Sequence, residues 1–295
     1  MAWSALGGVL ALAVAAAGVT DAVAASAGSN AVSVPGAHPP TVERPRAVSA
    51  ENSPVARSSY VWVSADVATI WIRPDRARRV DGPALRARPR IGLWINRQSL
   101  RQRNSLDTRV MTQALQGDRL VRLRQRSDGW SKVRLPDQRG SGFPSGIVGW
   151  VPSRQLTASA PRHHTLSDTV RRHGTGVTAL QLARSYLGTR YLWGGMSSLG
   201  IDCSGLTYRV FRALGVVLPR DAADQSRIGR QVRRNGLRPG DLVFFGRGNW
   251  RHVHHVGIYA GRGLVLNAPH TGTVVRFSRL NAFRDYWGAR RIIGS

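Results

Sequence analysis

The chain has 295 residues, a formal charge of +27 and a pI of about 11.9. A hydrophobic content of 42% is enough for a packed core, and a single cysteine excludes an internal disulfide framework. The basic charge is nearly all arginine, with Lys132 the only lysine. Such a charge favours polyanionic surroundings (nucleic acid, anionic lipid or an acidic cell wall), and its spread along the chain without a nucleic-acid-binding motif argues against nucleic acid.

Residues 1–27 are apolar and rich in small side chains. Ala22-Val23-Ala24 and Ala25-Ser26-Ala27 both fit small-x-small cleavage, so a signal peptide and a secreted, wall-associated protein are predicted. No Arg or Lys precedes the apolar run, which keeps an uncleaved N-terminal anchor as the alternative. Residues 28–58, rich in Ala, Ser, Pro and Val, read as a flexible tether.

From Tyr60 to Leu156, short apolar runs alternate with turn signals. Ala68-Thr69-Ile70-Trp71-Ile72 ends at Pro74, Asp128-Gly129 marks a turn before Trp130-Ser131-Lys132-Val133, and Gly149-Trp150-Val151-Pro152 closes the set. Such spacing predicts a small all-β barrel over 59–157, and the order of these motifs resembles bacterial SH3-like domains. Residues 76–116 read as an arginine-rich insertion in its first large loop. Trp71, Trp130 and Trp150 are expected as core and rim packing, with a ligand groove as the alternative.

A polar linker over 158–174 leads into a second domain over 175–295. Ala179, Leu180, Ala183, Tyr186 and Leu187 have helical period and stop at Gly188. A second helix is predicted over 203–214, with Leu206, Val210 and Leu214 on one face and Gly215 as its end. Strands follow at Asp241–Phe245, His255–Tyr259, Gly263–Asn267, Thr273–Phe277 and Tyr286–Ile293. Helices followed by an antiparallel sheet make an α+β domain.

The one thiol, Cys203, lies in Gly200-Ile201-Asp202-Cys203-Ser204-Gly205-Leu206, at the first turn of the second helix. Unpaired N–H groups there favour a thiolate and can hold an oxyanion. His255, at the start of a strand, is the candidate base. A hairpin symmetric about Gly261 sets His255 opposite Asn267 on one sheet face, where the Asn oxygen can fix the imidazole tautomer. His270 is the competing third residue. His252, His254 and His255 lack metal-ligand spacing, because in a strand His255 points opposite to the other two, so no metal or other cofactor is expected. Trp193 is expected to pack under the loop before the cysteine.

Six blocks then follow in order: Tyr191-Leu192-Trp193-Gly194-Gly195, Asp202-Cys203-Ser204-Gly205-Leu206, Leu218-Pro219-Arg220, Gly240-Asp241-Leu242-Val243-Phe244-Phe245, His255-Val256-Gly257-Ile258-Tyr259 and Ala268-Pro269-His270. Together they resemble the NlpC-type (NlpC/p60) cell-wall cysteine peptidases over 177–293. The resemblance implies a papain-like α+β fold with Cys203 as nucleophile, His255 as base and Asn267 as the residue that orients it. Histidine is common at that third place in the family, and Asn lies within its range. The resemblance also implies that Asp202 meets a free amino group of the substrate and Tyr191 lies beside the nucleophile. Ser204 and Arg220 are expected beside the same cleft. The implied activity is cleavage of peptidoglycan stem peptides between D-glutamate, through its γ-carboxyl, and a diamino acid. Stem peptides and anionic wall polymers are the expected partners of a monomer, with no nucleic acid. The rival readings are a non-catalytic wall-binding protein and an amidase or acyltransferase on the same fold.

Overall fold

The computed structural model describes residues 59–160 and 174–294. The expected signal peptide, the tether and residues 161–173 of the linker lie outside the described residues. The described residues pack as one compact unit.

The first half holds β1 (Ser59–Val63), β2 (Val67–Trp71), α1 (Ile91–Arg97), α2 (Leu100–Asn104), β3 (Val110–Leu115), β4 (Arg119–Gln125), β5 (Trp130–Leu135), β6 (Ile147–Pro152) and β7 (Leu156–Thr157). Its strands make one antiparallel sheet in the order β3-β2-β6-β5-β4-β1-β7. In β5, Ser131, Val133 and Leu135 are buried and alternate with half-buried Trp130, Lys132 and Arg134, the period-two pattern of a strand with one core face.

Residues 110–115 are not part of an inserted loop. They form β3, with Val67 opposite Leu115 and Ile70 opposite Thr112. The alternation that marks a strand is broken there by two buried polar residues, Thr112 and Gln113, whose partners lie in the second half of the chain. The rest of the expected insertion folds into α1, α2 and short 3-10 turns, and packs Trp94, Ile91, Ile95 and Leu106 against Trp71. Trp71 is therefore core, while Trp130 and Trp150 are half-buried beside that cluster.

The second half holds α3 (Gly176–Arg184), β8 (Met196–Ser197), β9 (Gly200–Ile201), α4 (Cys203–Ala213), α5 (Ala222–Gln225), β10 (Arg230–Val232), β11 (Leu242–Gly246), β12 (Val253–Gly261), β13 (Leu264–Asn267), β14 (Arg276–Arg279) and β15 (Tyr286–Arg291). Six strands pair antiparallel in the order β10-β15-β11-β12-β13-β14. Leu206, Val210 and Phe211 of α4 pack on Phe244, Val256, Ile258 and Leu266 of one sheet face. Each such side chain taken out of water contributes about 1.5–3 kcal/mol. Val243, Phe245, Val265 and Leu280 line the other face, which is why β11 reads as an unbroken apolar run.

The strand expected at 273–277 begins later, at Arg276. The backbone of Thr273 and Val275 instead bonds the loop before the cysteine, accepting from Tyr191 at 2.9 Å and from Gly188 at 3.0 Å. That pairing fixes where Tyr191 sits.

Candidate active site

The site starts at the N-terminus of α4. Asp202 is the N-cap, and its Oδ1 accepts from the Gly205 amide at 2.6 Å, satisfying an otherwise orphaned first-turn N–H. Cys203 is the first helical residue and its side chain is buried. Position 205 requires glycine, because a Cβ there would stand 2.3 Å from the Gly195 carbonyl oxygen. Burial first, and the Asp202 charge second, push the Cys203 thiol up to about 12. The amides of Val256 and Ser204, which hydrogen-bond the sulfur, pull the other way.

The Val256 amide also locates His255, its neighbour on β12, beside the thiol's surroundings. His255 Nε2 lies 3.1 Å from Asn267 Oδ1. The Asn267 NH2 group donates to the carbonyls of Val265 and Arg276, at 3.3 and 3.4 Å, and meets Ser278 Oγ at 3.0 Å. A carbonyl oxygen can only accept, so the amide has one permitted orientation, with Oδ1 toward the imidazole. Nε2 must then carry the hydrogen and donate it, which leaves Nδ1 as the unprotonated nitrogen. The rings of Phe245 and Phe283, stacked on each other with centroids 4.0 Å apart, lie to one side of the imidazole, 5.6 and 5.9 Å from it. Burial pushes His255 down to about 4, against the upward pull of the Asn267 bond.

The predicted meeting of His255 and Asn267 is present, but the register differs. Ile258 faces Leu266 and Tyr259 faces Val265, and continuing that pairing sets Asn267 opposite Gly257. Asn267 therefore reaches His255 on the diagonal, across the space left by a missing side chain. A Cβ on Gly257 would stand 2.4 Å from Val265 Cγ1 and 3.0 Å from Asn267 Cβ. His270 is exposed, and its Nδ1 donates to the Thr271 carbonyl at 2.9 Å, while Asn267 holds the contact to His255.

Asp202, Ser204 and Arg220 form one buried cluster. Arg220 donates to both carboxylate oxygens of Asp202, at 3.1 and 2.6 Å, and to Ser204 Oγ at 2.8 Å. The Gly194 amide adds a donor to Asp202 Oδ2 at 2.8 Å. Both oxygens of Asp202 thus already hold the helix start, the glycine loop and Arg220. Tyr191 is buried in the same core cluster as Cys203, and burial and the nearby Cys203 charge push its phenol up. Trp193 is not packed under the loop. It stands 43% exposed at the rim, with its indole N–H donating to the Val110 carbonyl at 3.2 Å.

Sequence reasoning missed the contribution of the first half. Arg220 Nε donates to Thr112 Oγ1 at 2.9 Å, and Thr112 Oγ1 donates to Gln138 Oε1 at 2.7 Å. Gln138 Nε2 in turn donates to the Gln113 carbonyl at 2.8 Å, and Gln113 Oε1 accepts from the Met196 amide at 3.1 Å. The only signal in the sequence was a pair of polar residues inside an apolar strand. Phe283 was also missed, because nothing local marks a phenylalanine as the wall of a distant imidazole. Among the described residues no cluster has the composition of a metal site.

The residues around this site have relatives. A profile of the NlpC/P60 family matches residues 188–293. The gamma-D-glutamyl-L-lysine dipeptidyl-peptidase of Bacillus subtilis strain 168 is 30% identical over 278 residues, spanning 74% of this chain and 93% of its own. The probable endopeptidase NlpC of Escherichia coli K12 is 39% identical over 112 residues, 37% of this chain and 73% of its own. A crystal structure of an NlpC/P60 family protein from Bacillus cereus ATCC 10987 shares the fold, with a TM-score of 0.72 over 80% of this chain and 100% of that one, at 24% identity.

Proposed function

From the premise that this chain belongs to the NlpC/P60 family and is a cysteine peptidase, we propose that it is secreted and cuts peptidoglycan stem peptides after D-glutamate. The bond is the one between the γ-carboxyl of that residue and the diamino acid that follows. A relative named gamma-D-glutamyl-L-lysine dipeptidyl-peptidase, matched over nearly its whole length, supports this choice of bond. We read residues 59–157 as an SH3-like barrel and the positive charge as retention on an acidic wall.

The observation that supports the mechanism is the bond from His255 Nε2 to Asn267 Oδ1, which leaves Nδ1 unprotonated and able to serve as base toward Cys203 at the start of α4. The Cys203 sulfur attacks the γ-carbonyl carbon while its proton passes to His255 Nδ1. First-turn N–H groups of α4 stabilise the oxyanion. The C–N bond then breaks, the amine leaves with the proton from His255, and an acyl-thioester remains. Water, deprotonated by His255, attacks that carbonyl and returns the free thiol and a γ-carboxylate. The test is mass spectrometry of fragments released from purified peptidoglycan. The unmutated chain is expected to yield fragments ending at D-glutamate, and Cys203→Ala none. Equal release by Cys203→Ala would overturn the reading.

A further inference from the structure

Two cavities lie beyond the candidate active site, at the far end of the same sheet. One, of about 540 Å³, is lined by Arg234, Arg262 and Arg279 over an apolar floor that includes Leu237, Tyr259 and Leu280. The other, of about 630 Å³, is lined by Arg230, Arg233, Arg238 and Arg291, and it shares Leu237 with the first. No acidic side chain lines either cavity. Arg291 is committed to the buried carboxylate of Asp241. Among the described residues, Arg234, Arg262 and Arg279 are in no ion pair, and all three are exposed.

The backbone holds one of these arginines at a cost. Arg262 has φ 51°, the single non-glycine residue in the left-handed region among the described residues, between Gly261 and Gly263, which also have positive φ. The turn is tied down by the Gly263 amide donating to Tyr259 Oη at 3.1 Å and by the Leu280 amide donating to the Gly263 carbonyl at 2.8 Å. Glycine would adopt this backbone freely, so an arginine there needs a reason in what its guanidinium faces. A single small anion is far smaller than either cavity. Two adjoining arginine-lined cavities over a largely apolar floor suit a chain of regularly spaced anions joined by short apolar links. Phosphodiesters fit best, since each phosphate offers oxygens to several converging guanidinium forks. Nucleic acid is disfavoured, because successive bases need a row of aromatic faces and Tyr259, its hydroxyl held by the Gly263 amide at 3.1 Å, is the single aromatic residue lining either cavity.

We propose that these two cavities bind a polyol-phosphate polymer of the cell wall. The source of that polymer rests on the wall-peptidase reading above. Tyr259 and His255 are four residues apart on β12, roughly 13 Å along the strand, so a bound polymer would hold the peptidase within reach of stem peptides without entering its cleft.

The test is binding of the full chain to immobilised poly(glycerol phosphate) across a salt series. The variant R234Q/R262Q/R279Q is compared with R97Q/R101Q/R124Q, which removes the same charge from exposed positions in the first half. The cavity variant is expected to bind at least tenfold more weakly than this control. Its log–log salt slope should fall by about 2, at roughly 0.7 for each phosphate no longer neutralised. Equal weakening by both variants would reduce the effect to diffuse charge and overturn the site. Tighter binding of single-stranded DNA of matched charge would overturn the choice of polymer. Release of soluble stem fragments by the cavity variant is expected to be unchanged, and its loss would show that the cavities are not independent of the cleft. Binding is read without turnover. An unmutated chain that binds but does not cleave would sink the proposed function and leave this assignment standing.

Discussion

Asn267 can orient His255 because its own amide has no choice of direction. Its NH2 group faces backbone carbonyls and its oxygen faces Nε2. Asn267→Ala removes the acceptor while leaving nucleophile and base in place. A fall in kcat of roughly 10²-fold or more is expected, with KM little changed, since tautomer control acts on the chemical step. Asn267→His should keep part of the rate, and steady-state kinetics on a soluble stem peptide reads both. The protonation state at rest also follows from burial. With His255 pushed down to about 4 and Cys203 up to about 12, the resting pair is a neutral imidazole and a neutral thiol. The acid limb of kcat/KM should then lie closer to pH 4 than to the ordinary histidine value of 6.5. Iodoacetamide labelling of Cys203 should show no thiolate plateau across the neutral range. A plateau beginning near pH 4 would mean a preformed thiolate–imidazolium pair. The sign for stability is the same. A depressed imidazole stabilises the fold fully above about pH 6.5, and this contribution is lost as pH falls toward 4.

At the scale of elements, the β12–β13 hairpin decides whether the two residues meet. The pairing places Gly257, not His255, across from Asn267, so the contact depends on an empty Cβ position. Gly257→Ala should cost about 1–3 kcal/mol by overpacking and should lower activity by displacing Asn267. A denaturant titration and a rate measured on the same sample would separate these, and an unchanged rate would refute the diagonal geometry. The extent of α4 was legible from its residues because its apolar period and the Gly just past its C-terminus act locally. The hairpin face was legible too, since alternation puts residues 255 and 267 on one side. Its register was not, because an irregularity between Tyr259 and Gly261 shifts the pairing. Strand β3 was hidden for a different reason. Thr112 and Gln113 break its apolar alternation, and their burial makes sense only with Arg220 and Met196 in view.

At the scale of the whole molecule, the first half is part of the site's frame. Leu192, next to the exposed Trp193, is buried in the apolar cluster around Trp94 and Trp71, and the Trp193 indole is tied to Val110. Arg220 joins Asp202 on one side and Thr112 on the other. Thr112→Val leaves a buried guanidinium N–H without an acceptor, which should cost about 1–3 kcal/mol. If the first half positions the site, this variant also loses activity at temperatures where it remains folded. Full activity in the folded variant would limit the first half to binding and retention.

Local chemistry therefore settled what could be read from short spans of chain. The lone thiol at a helix start, the histidine on a strand that in fact begins two residues earlier, at Val253, the sheet following the helices and the excess of arginine each depend on neighbours within a few residues. Only tertiary structure decided the diagonal reach of Asn267, the stacked aromatic pair to one side of His255, the buried link from Gln138 to Asp202 and the convergence of arginines at Leu237. These contacts join residues far apart in the chain. A polar side chain carries no local mark of the partner that will satisfy it once both are out of water.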